Sequence, residues 1–562
     1  MKLNVANYRF YKSESFRIIS YYITKGQIGD FMQTKAKDYI KSMLIGTMIS
    51  ILISISSIYI TFKSGVSAIV DTVLLSIILL TVIRGLKTKS VALSDIFARA
   101  SLSTITTTAV YFATALLFGE QQSLNETILF GIIIMISSIM GILFFSTLSE
   151  NFSDQNRFKF PLLAPRIDLI NSVGSDKAKN RHMVFALVIA AIYSFIVKVM
   201  DFIPKQIKIV KNSMFTLDNS MMLISTGYFI GYATYLKMGI GFAYSLIIYI
   251  IFKSTDFSSH ILNPYIYSVV LGFSLTQGGV TLYSVIKKWY PQTARSSKPI
   301  MRKLSSSSVL ILAAVTFVYL LFFSRLLNPE YNLPFWIFLI LIPITIISST
   351  STLIGVAETG FWFSALEDIL PIIIILLTQT SSLTTIVMVI TGLTAFEMSG
   401  LYYAINTQVA RRFDINHKEL TVFSIISSIM GAILCVTLVS LLAKSTEFGG
   451  QELPLPTVQV FGMTLKGMME AVVARSIPNY LNIYVLIIAC VSCVLLNKIK
   501  ISPMIILGGI LLPFGTFFVI GMGALLSFIL RKNGNGKRTI FSGISVGDGL
   551  VSAISTISRG IR

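Results

Sequence analysis

Long apolar runs without a charged residue constrain this chain more than any other sequence feature. Four of them lie at 42–62, 127–149, 331–357 and 420–443. About 20 apolar residues are enough for a helix to cross the ~30 Å hydrocarbon core of a membrane. Hydrophobic residues make up 54% of the 562 residues, and charged residues only 13%. The runs therefore predict an all-α polytopic protein of the cell membrane, with about 14 to 17 spans.

The chain carries a formal net charge of +21, which raises the question of nucleic-acid binding. Its lysines and arginines cluster in short connections such as 84–89 and 287–303. Cytoplasmic loops of membrane proteins have this positive bias. Because the membrane explains the charge, we expect membrane lipid and no nucleic acid as a partner.

Sequence signals for an enzyme are weak. The three histidines stand apart from other types of metal ligand, and Cys490 and Cys493 lie within an apolar run. The segment 533–539 lacks the first glycine of a phosphate-binding loop. An intramembrane enzyme needs a nucleophile beside a base, or a set of metal ligands, within its spans. We expect no catalytic residue, no metal site and no cofactor.

A repeated phrase indicates an internal duplication, because ISSIMG occurs at 136–141 and again at 426–431. Two glycine patterns recur after it in the same order. Intervals of twelve and two residues separate Gly227, Gly239 and Gly241, and likewise Gly509, Gly521 and Gly523. Further along, Gly272, Ser274 and Gly278 match Gly543, Ser545 and Gly549. Matched order and spacing predict two homologous halves.

The predicted organisation has four parts. They are a cytoplasmic N-terminal segment at 1–40, a first transmembrane repeat at 41–290, a connecting loop and linker helix at 291–333, and a second repeat at 334–562. The loop at 150–181 is rich in lysine and arginine, whereas 445–480 holds only Lys466 and Arg475. This reversed bias predicts that the halves are inverted relative to each other. Inverted repeats are typical of secondary transporters.

Several motifs also carry a family resemblance. They are YITFKSG at 59–65, FPLLAPRIDLI at 160–170, GYFIG at 227–231, LPLPTVQVFG at 453–462 and SGISVGDGL at 542–550. In this order they resemble a prokaryotic-type member of the oligopeptide transporter family, related to the yellow stripe-like metal-chelate carriers. The resemblance covers most of the chain and implies uptake of short peptides or metal chelates by proton symport.

The glycine-rich segments are the predicted substrate site. Backbone that unwinds inside a membrane must line a cavity, so we expect broken helices around Gly227 and Gly509 and around Gly272 and Gly543. Exposed half-helix N-termini at such breaks bind anionic groups. The predicted substrate-binding residues are Tyr228, Gly231, Gly272, Gln277, Gly278, Tyr402, Tyr403, Gly515, Gly543, Gly547 and Gly549.

Three acids away from obvious loops are the predicted proton-coupling residues, in the order Asp548, Glu397, Glu358. A charged carboxylate is costly inside a membrane, so such an acid is a candidate for carrying a proton. Asp548 comes first because its matched position in the first half is the neutral Gln277. A helix-capping role for Asp548 is an equally good interpretation.

Other functions stay open at this point. A flippase for lipid-linked or polysaccharide substrates needs a cationic internal groove, whereas the lysines and arginines here lie in loops. A channel fits symmetric oligomers better than an internal duplication. The expected partners of a transporter are a small-molecule substrate and protons, and a homodimer is left open.

Overall fold

The structure is a computed structural model of the chain. It describes residues 27–64, 87–119, 124–149, 160–161, 163–174, 177–200, 202–204, 206–208, 216–254, 257–261, 263–289, 335–360, 382–445, 448–449, 455–473, 481–530 and 536–561. These residues form 17 helices and one small antiparallel hairpin.

The first half contains nine helices. They are α1 (Gln27–Ser64), α2 (Thr88–Phe118), α3 (Leu124–Leu148), α4 (Leu163–Gly174), α5 (Lys177–Lys198), α6 (Met221–Ile230), α7 (Tyr232–Phe252), α8 (Phe257–Ile261) and α9 (Pro264–Trp289). Between α5 and α6, strand β1 (Gln206–Lys208) pairs with β2 (Thr216–Asp218).

The second half contains eight helices. They are α10 (Phe335–Thr359), α11 (Leu383–Arg412), α12 (His417–Ser445), α13 (Pro456–Val473), α14 (Ile483–Lys498), α15 (Pro503–Leu511), α16 (Phe514–Ile529) and α17 (Gly536–Ile561). Helix α11 lies at the centre, because the whole of its apolar stretch is buried.

Eight of the described helices are long and apolar enough to cross a membrane, and three shorter apolar helices accompany them. The prediction of an all-α polytopic membrane protein is therefore confirmed. The apolar segments at 66–83 and 304–324 lie outside the described residues, and so does the linker helix predicted within 291–333. The total of 14 to 17 spans stays a prediction.

Two helices continue past charged residues that border apolar runs in the sequence. Helix α2 begins at Thr88 and contains the buried Arg99, and α11 continues past the buried Glu397 to Arg412. Both charged side chains find polar partners inside the protein instead of reaching water. Burial of a charge is tolerated when such partners are present.

Both halves contain a broken helix at matched positions. In the first half, Gly231 separates α6 from α7 with a φ of +81°, a conformation that glycine adopts without strain. In the second half, Leu512 and Pro513 separate α15 from α16. Pro513 lies 282 residues after Gly231, the same offset that relates Gly509 to Gly227. Gly515, which we expected at the break, lies inside the first turn of α16.

Glycines also mark where the broken helices of the two halves cross. At the crossing of α6 and α16, Gly227 and Gly523 each leave room for the backbone of the other helix. At the crossing of α7 and α15, Gly241 and Gly509 do the same. Gly227 at the first crossing matches Gly509 at the second, and Gly241 at the second crossing matches Gly523 at the first, each 282 residues apart. This cross-matching is what two similar halves give when they pack against each other.

Helices α9 and α17 are continuous, so the expected breaks around Gly272 and Gly543 were wrong. These glycines serve close packing. A side chain at Gly272 would meet Ala489 of α14, and one at Gly543 would meet the backbone of Met183 in α5. Small residues let neighbouring membrane helices approach closely without unwinding.

Candidate functional site

A cavity of about 470 Å³ lies beside the N-terminus of α15, among α7, α9, α10 and the end of α14. Seven of its nine lining residues are polar, which is unusual among apolar helices. Its volume falls in the range of about 300–1,000 Å³ typical of small-molecule sites. We call it the α15 cavity, and it brings together residues from both halves of the chain.

Charged groups of both signs line the α15 cavity. Glu358 stands near the end of α10, Lys237 on α7, and Lys500 two residues beyond α14. The Glu358 carboxylate is half-buried and accepts a hydrogen bond from the hydroxyl of Ser502, which precedes the first residue of α15. Two ammonium groups and one carboxylate suit a ligand that carries negative charge, or charges of both signs.

Gln277 of α9 forms a buried polar wall of the cavity. Its side-chain oxygen accepts a hydrogen bond of 2.6 Å from the amide of Asn497 in α14, and its Nε2 donates to Thr281 at 3.2 Å. The pair joins α9 to the end of α14 without any charge. Gln277 and Glu358 are the two predicted site residues that line this cavity.

Asp548 lies elsewhere, completely buried between α17 and the N-terminus of α6. Its Oδ1 binds the Lys198 ammonium at 2.6 Å and the Ser194 hydroxyl. Its Oδ2 accepts the Ser220 hydroxyl at 2.8 Å and the backbone N–H of Met222 at 2.7 Å. The carboxylate thus caps α6 from another helix.

Glu397 is also completely buried, on the central helix α11. The hydroxyl of Thr352 in α10 donates a hydrogen bond of 3.2 Å to its Oε1. Glu397 is not part of the α15 cavity lining. The three predicted acids therefore occupy three separate environments, and Glu358 is the one that lines the α15 cavity.

The predicted tyrosines pack within the protein. Tyr228 stacks on Phe541 with ring centroids 3.9 Å apart. The Tyr403 hydroxyl lies 3.1 Å from Nδ1 of His417 and 2.8 Å from the Thr421 hydroxyl. Tyr402 is half-buried on α11. The remaining predicted residues also lie outside the lining of the α15 cavity, namely Gly231, Gly272, Gly278, Gly515, Gly543, Gly547 and Gly549.

A second polar cluster joins α2, α4 and α11 in the interior. Arg166, from the FPLLAPRIDLI motif, donates to Asp95 at 2.6 Å and to Asn406 at 2.8 Å. Arg99 donates to the other Asp95 oxygen at 3.0 Å. Burial lowers the pKa of Arg166 to about 10, although the neighbouring Asp95 carboxylate opposes this shift. The cluster ties the short helix α4 to the core.

Comparison with known proteins decides the family. The model of the family described as OPT oligopeptide transporter protein matches residues 40–558, nearly the whole chain. The chain belongs to the oligopeptide transporter family. This member is therefore a multi-pass membrane transporter of oligopeptides or similar small molecules, and the family is not an enzyme family. No curated protein gives a significant match.

The sequence interpretation of this family member missed Lys237, Asn497, Lys500 and Ser502. Both lysines were counted with the basic groups of loops, because they stand near helix ends. One signal was available: Ser502 and Pro503 open a short apolar helix, and Ser followed by Pro is a typical helix start. A helix that starts inside an apolar run of a membrane protein is a candidate half-helix.

Proposed function

We propose that this transporter is a proton-coupled symporter that takes up short peptides or metal chelates across the cell membrane, with the α15 cavity as its substrate site. The observation that carries the proposal is the combination of Glu358, Lys237 and Lys500 in one cavity. Peptides carry a carboxylate and an amine, and metal chelates are commonly anionic. Both fit a site with two ammonium groups and one carboxylate.

We assign the coupling proton to Glu358 among the three predicted acids. Asp548 pairs with an ammonium group and a helix N-terminus and does not line the α15 cavity. Glu358 instead faces the cavity beside two lysines, where proton and substrate can meet. Loading of a proton would free Ser502 and remove one negative charge from the site, which favours entry of an anionic group.

Uptake by proteoliposomes under an imposed proton gradient tests this function, with di- to pentapeptides and ferric chelates as candidate substrates. We expect Glu358→Gln to lose gradient-driven accumulation while it keeps exchange of substrate between the two sides. Glu470→Gln, an exposed acid on α13, is the matched control and should accumulate substrate like the parent protein. Full accumulation by Glu358→Gln would move the coupling role to Glu397 or Asp548.

The proposal also includes two inverted repeats that exchange roles to give alternating access. Arg181 and Tyr484 are exposed residues near the starts of α5 and α14, which are matched helices. Single cysteines at these positions, in a background without the native cysteines, should react with an impermeant reagent from opposite sides. Reaction of both from one side would rule out the inverted arrangement.

A further inference from the structure

The N-termini of α6 and α15 are equivalent positions in the two halves. Ser220 precedes α6 and Ser502 precedes α15, with an offset of 282 residues that also relates Met222 to Met504. In chain order, α6 follows α5 and the β1–β2 hairpin, and α15 follows α14. At both places a serine hydroxyl stands beside backbone N–H groups that have no acceptor within their own helix.

The first of these places already holds a carboxylate. Asp548 accepts hydrogen bonds from Ser220 and from the backbone N–H of Met222, and it pairs with Lys198 at the end of α5. This arrangement shows how the scaffold binds a carboxylate, with one hydroxyl, one backbone N–H and one ammonium group. Charge-assisted hydrogen bonds of this kind are the strong ones.

The second place lacks that built-in carboxylate on the equivalent helix. Asp548 lies 12 residues after the start of α17 (548 minus 536), and Gln277 lies 13 residues after the start of α9 (277 minus 264). The neutral Gln277 binds Asn497 at the end of α14. Beside it the α15 cavity opens, and Lys500 lines that cavity just beyond α14.

We infer that the α15 cavity binds the carboxylate of its substrate in the way that α6 binds Asp548. The carboxylate takes hydrogen bonds from the Ser502 hydroxyl and the Met504 backbone N–H, and Lys500 neutralises it. Pro503 has no N–H, so Met504 carries the first backbone donor of α15. Its equivalent in α6, Met222, donates to Asp548.

Glu358 competes for the same position. Its carboxylate now accepts the Ser502 hydroxyl, and two carboxylates at one helix N-terminus repel each other. The substrate carboxylate therefore displaces Glu358 when Glu358 has taken up a proton. This inference rests on the proposed function, since it deepens the substrate class of the same cavity, but binding alone can test it.

Binding to the purified full-length protein in detergent, measured by isothermal titration calorimetry, provides the test. The probes are trialanine, trialanine amide and ferric citrate, at a pH below 6. We expect trialanine to bind about 10- to 100-fold more tightly than its amide, because hydrogen bonds to a charged group contribute about 1.5–3 kcal/mol. If ferric citrate binds through Lys500 and trialanine does not, the carboxylate site stands and the substrate is a chelate.

Variants separate the site from general effects. Lys500→Gln should remove most of the preference for the free acid, Lys500→Arg should keep it, and Lys498→Gln, an exposed neighbour outside the cavity lining, should leave it unchanged. Gln277→Glu places a fixed carboxylate where α17 has Asp548. It should weaken binding of trialanine but not of the amide.

Equal affinity for trialanine and its amide would overturn the inference, and so would a Lys500→Gln variant that weakens both probes alike. Failure of every carboxylate probe to bind would also overturn it. The proposed function fails on a different result, namely absence of gradient-driven uptake. Thermal unfolding of each variant without ligand shows whether the fold is intact.

Discussion

The N-termini of α6 and α15 share a scaffold and differ in what fills it. At α6, Asp548 is completely buried and receives a cation, two hydroxyls and a backbone N–H. At α15, Glu358 is half-buried, binds Ser502 and faces a cavity of about 470 Å³. Under the proposed function, the α6 copy of this position is a fixed joint, and the α15 copy is left for a ligand.

The largest expected effect is on the α6 side of this comparison. Asp548→Asn removes the carboxylate that pairs with the mostly buried Lys198, and breaking such a buried pair costs about 3–5 kcal/mol. We expect a large loss of thermal stability in detergent, or failure to accumulate in the membrane. The double variant Asp548→Asn with Lys198→Gln should regain part of this loss.

The sequence-based hypothesis makes the opposite prediction for the same variant. If Asp548 carried the coupling proton, Asp548→Asn would retain substrate binding and exchange, and would lose only gradient-driven accumulation. Glu358→Gln should instead keep the unfolding temperature close to that of the parent protein, since Glu358 is half-buried beside a cavity. Equal stability of Asp548→Asn and Glu358→Gln would show that Asp548 and Glu358 do not differ in structural role.

The crossings of the broken helices provide the next test. A methyl group at Gly227 or at Gly241 meets the backbone of the helix from the other half. Overpacking of this kind costs about 1–3 kcal/mol, so Gly227→Ala and Gly241→Ala should lower the unfolding temperature by similar amounts. Gly239→Ala is the control, because nothing lies within 4 Å of the added carbon. A loss at only one crossing would show that the two halves do not pack alike.

The two breaks should respond unequally. Gly231 has a φ of +81°, so Gly231→Ala should cost about 1–3 kcal/mol in backbone strain. Pro513→Ala, at the matched break, keeps an accessible backbone conformation and should cost at most about 1 kcal/mol. Unfolding temperatures of the two variants in the same detergent give the comparison. A larger loss for Pro513→Ala would contradict it.

Much of the fold was predictable because membrane helices depend on local composition. The apolar runs predicted the all-α architecture, and the glycine intervals predicted which segments match between halves. Arg99 and Glu397 border apolar runs but lie inside helices, because Arg99 pairs with Asp95 one turn away in α2 and Glu397 accepts a hydrogen bond from Thr352, which only packing brings close. Thr352, for example, stands 45 residues from Glu397 in the chain.

The candidate site was predictable only in part. Gln277 was found because the internal match pairs it with an acid, and Glu358 because it interrupts a long apolar segment. Lys237 and Lys500 were missed, since a lysine near a helix end resembles an ordinary loop cation. Their convergence on one cavity depends on how α7 and α14 pack across distant parts of the chain.

The smallest expected effect concerns pH at the second break. His260 of α8 is buried, lies 2.9 Å from the Ser245 hydroxyl, and packs its ring against Tyr249 and against Phe514, the first residue of α16. Burial lowers the pKa of His260 below its usual value of 6.5. Above pH 6.5 the imidazole is neutral in both the folded and the unfolded chain. As pH falls below 6.5, the unfolded chain binds the proton first, so stability decreases down to the lowered pKa.

We expect the parent protein to lose more thermal stability between pH 7 and pH 5 than His260→Gln, measured in one detergent at constant ionic strength. Parallel pH profiles would show that His260 does not make the α16 break sensitive to acid.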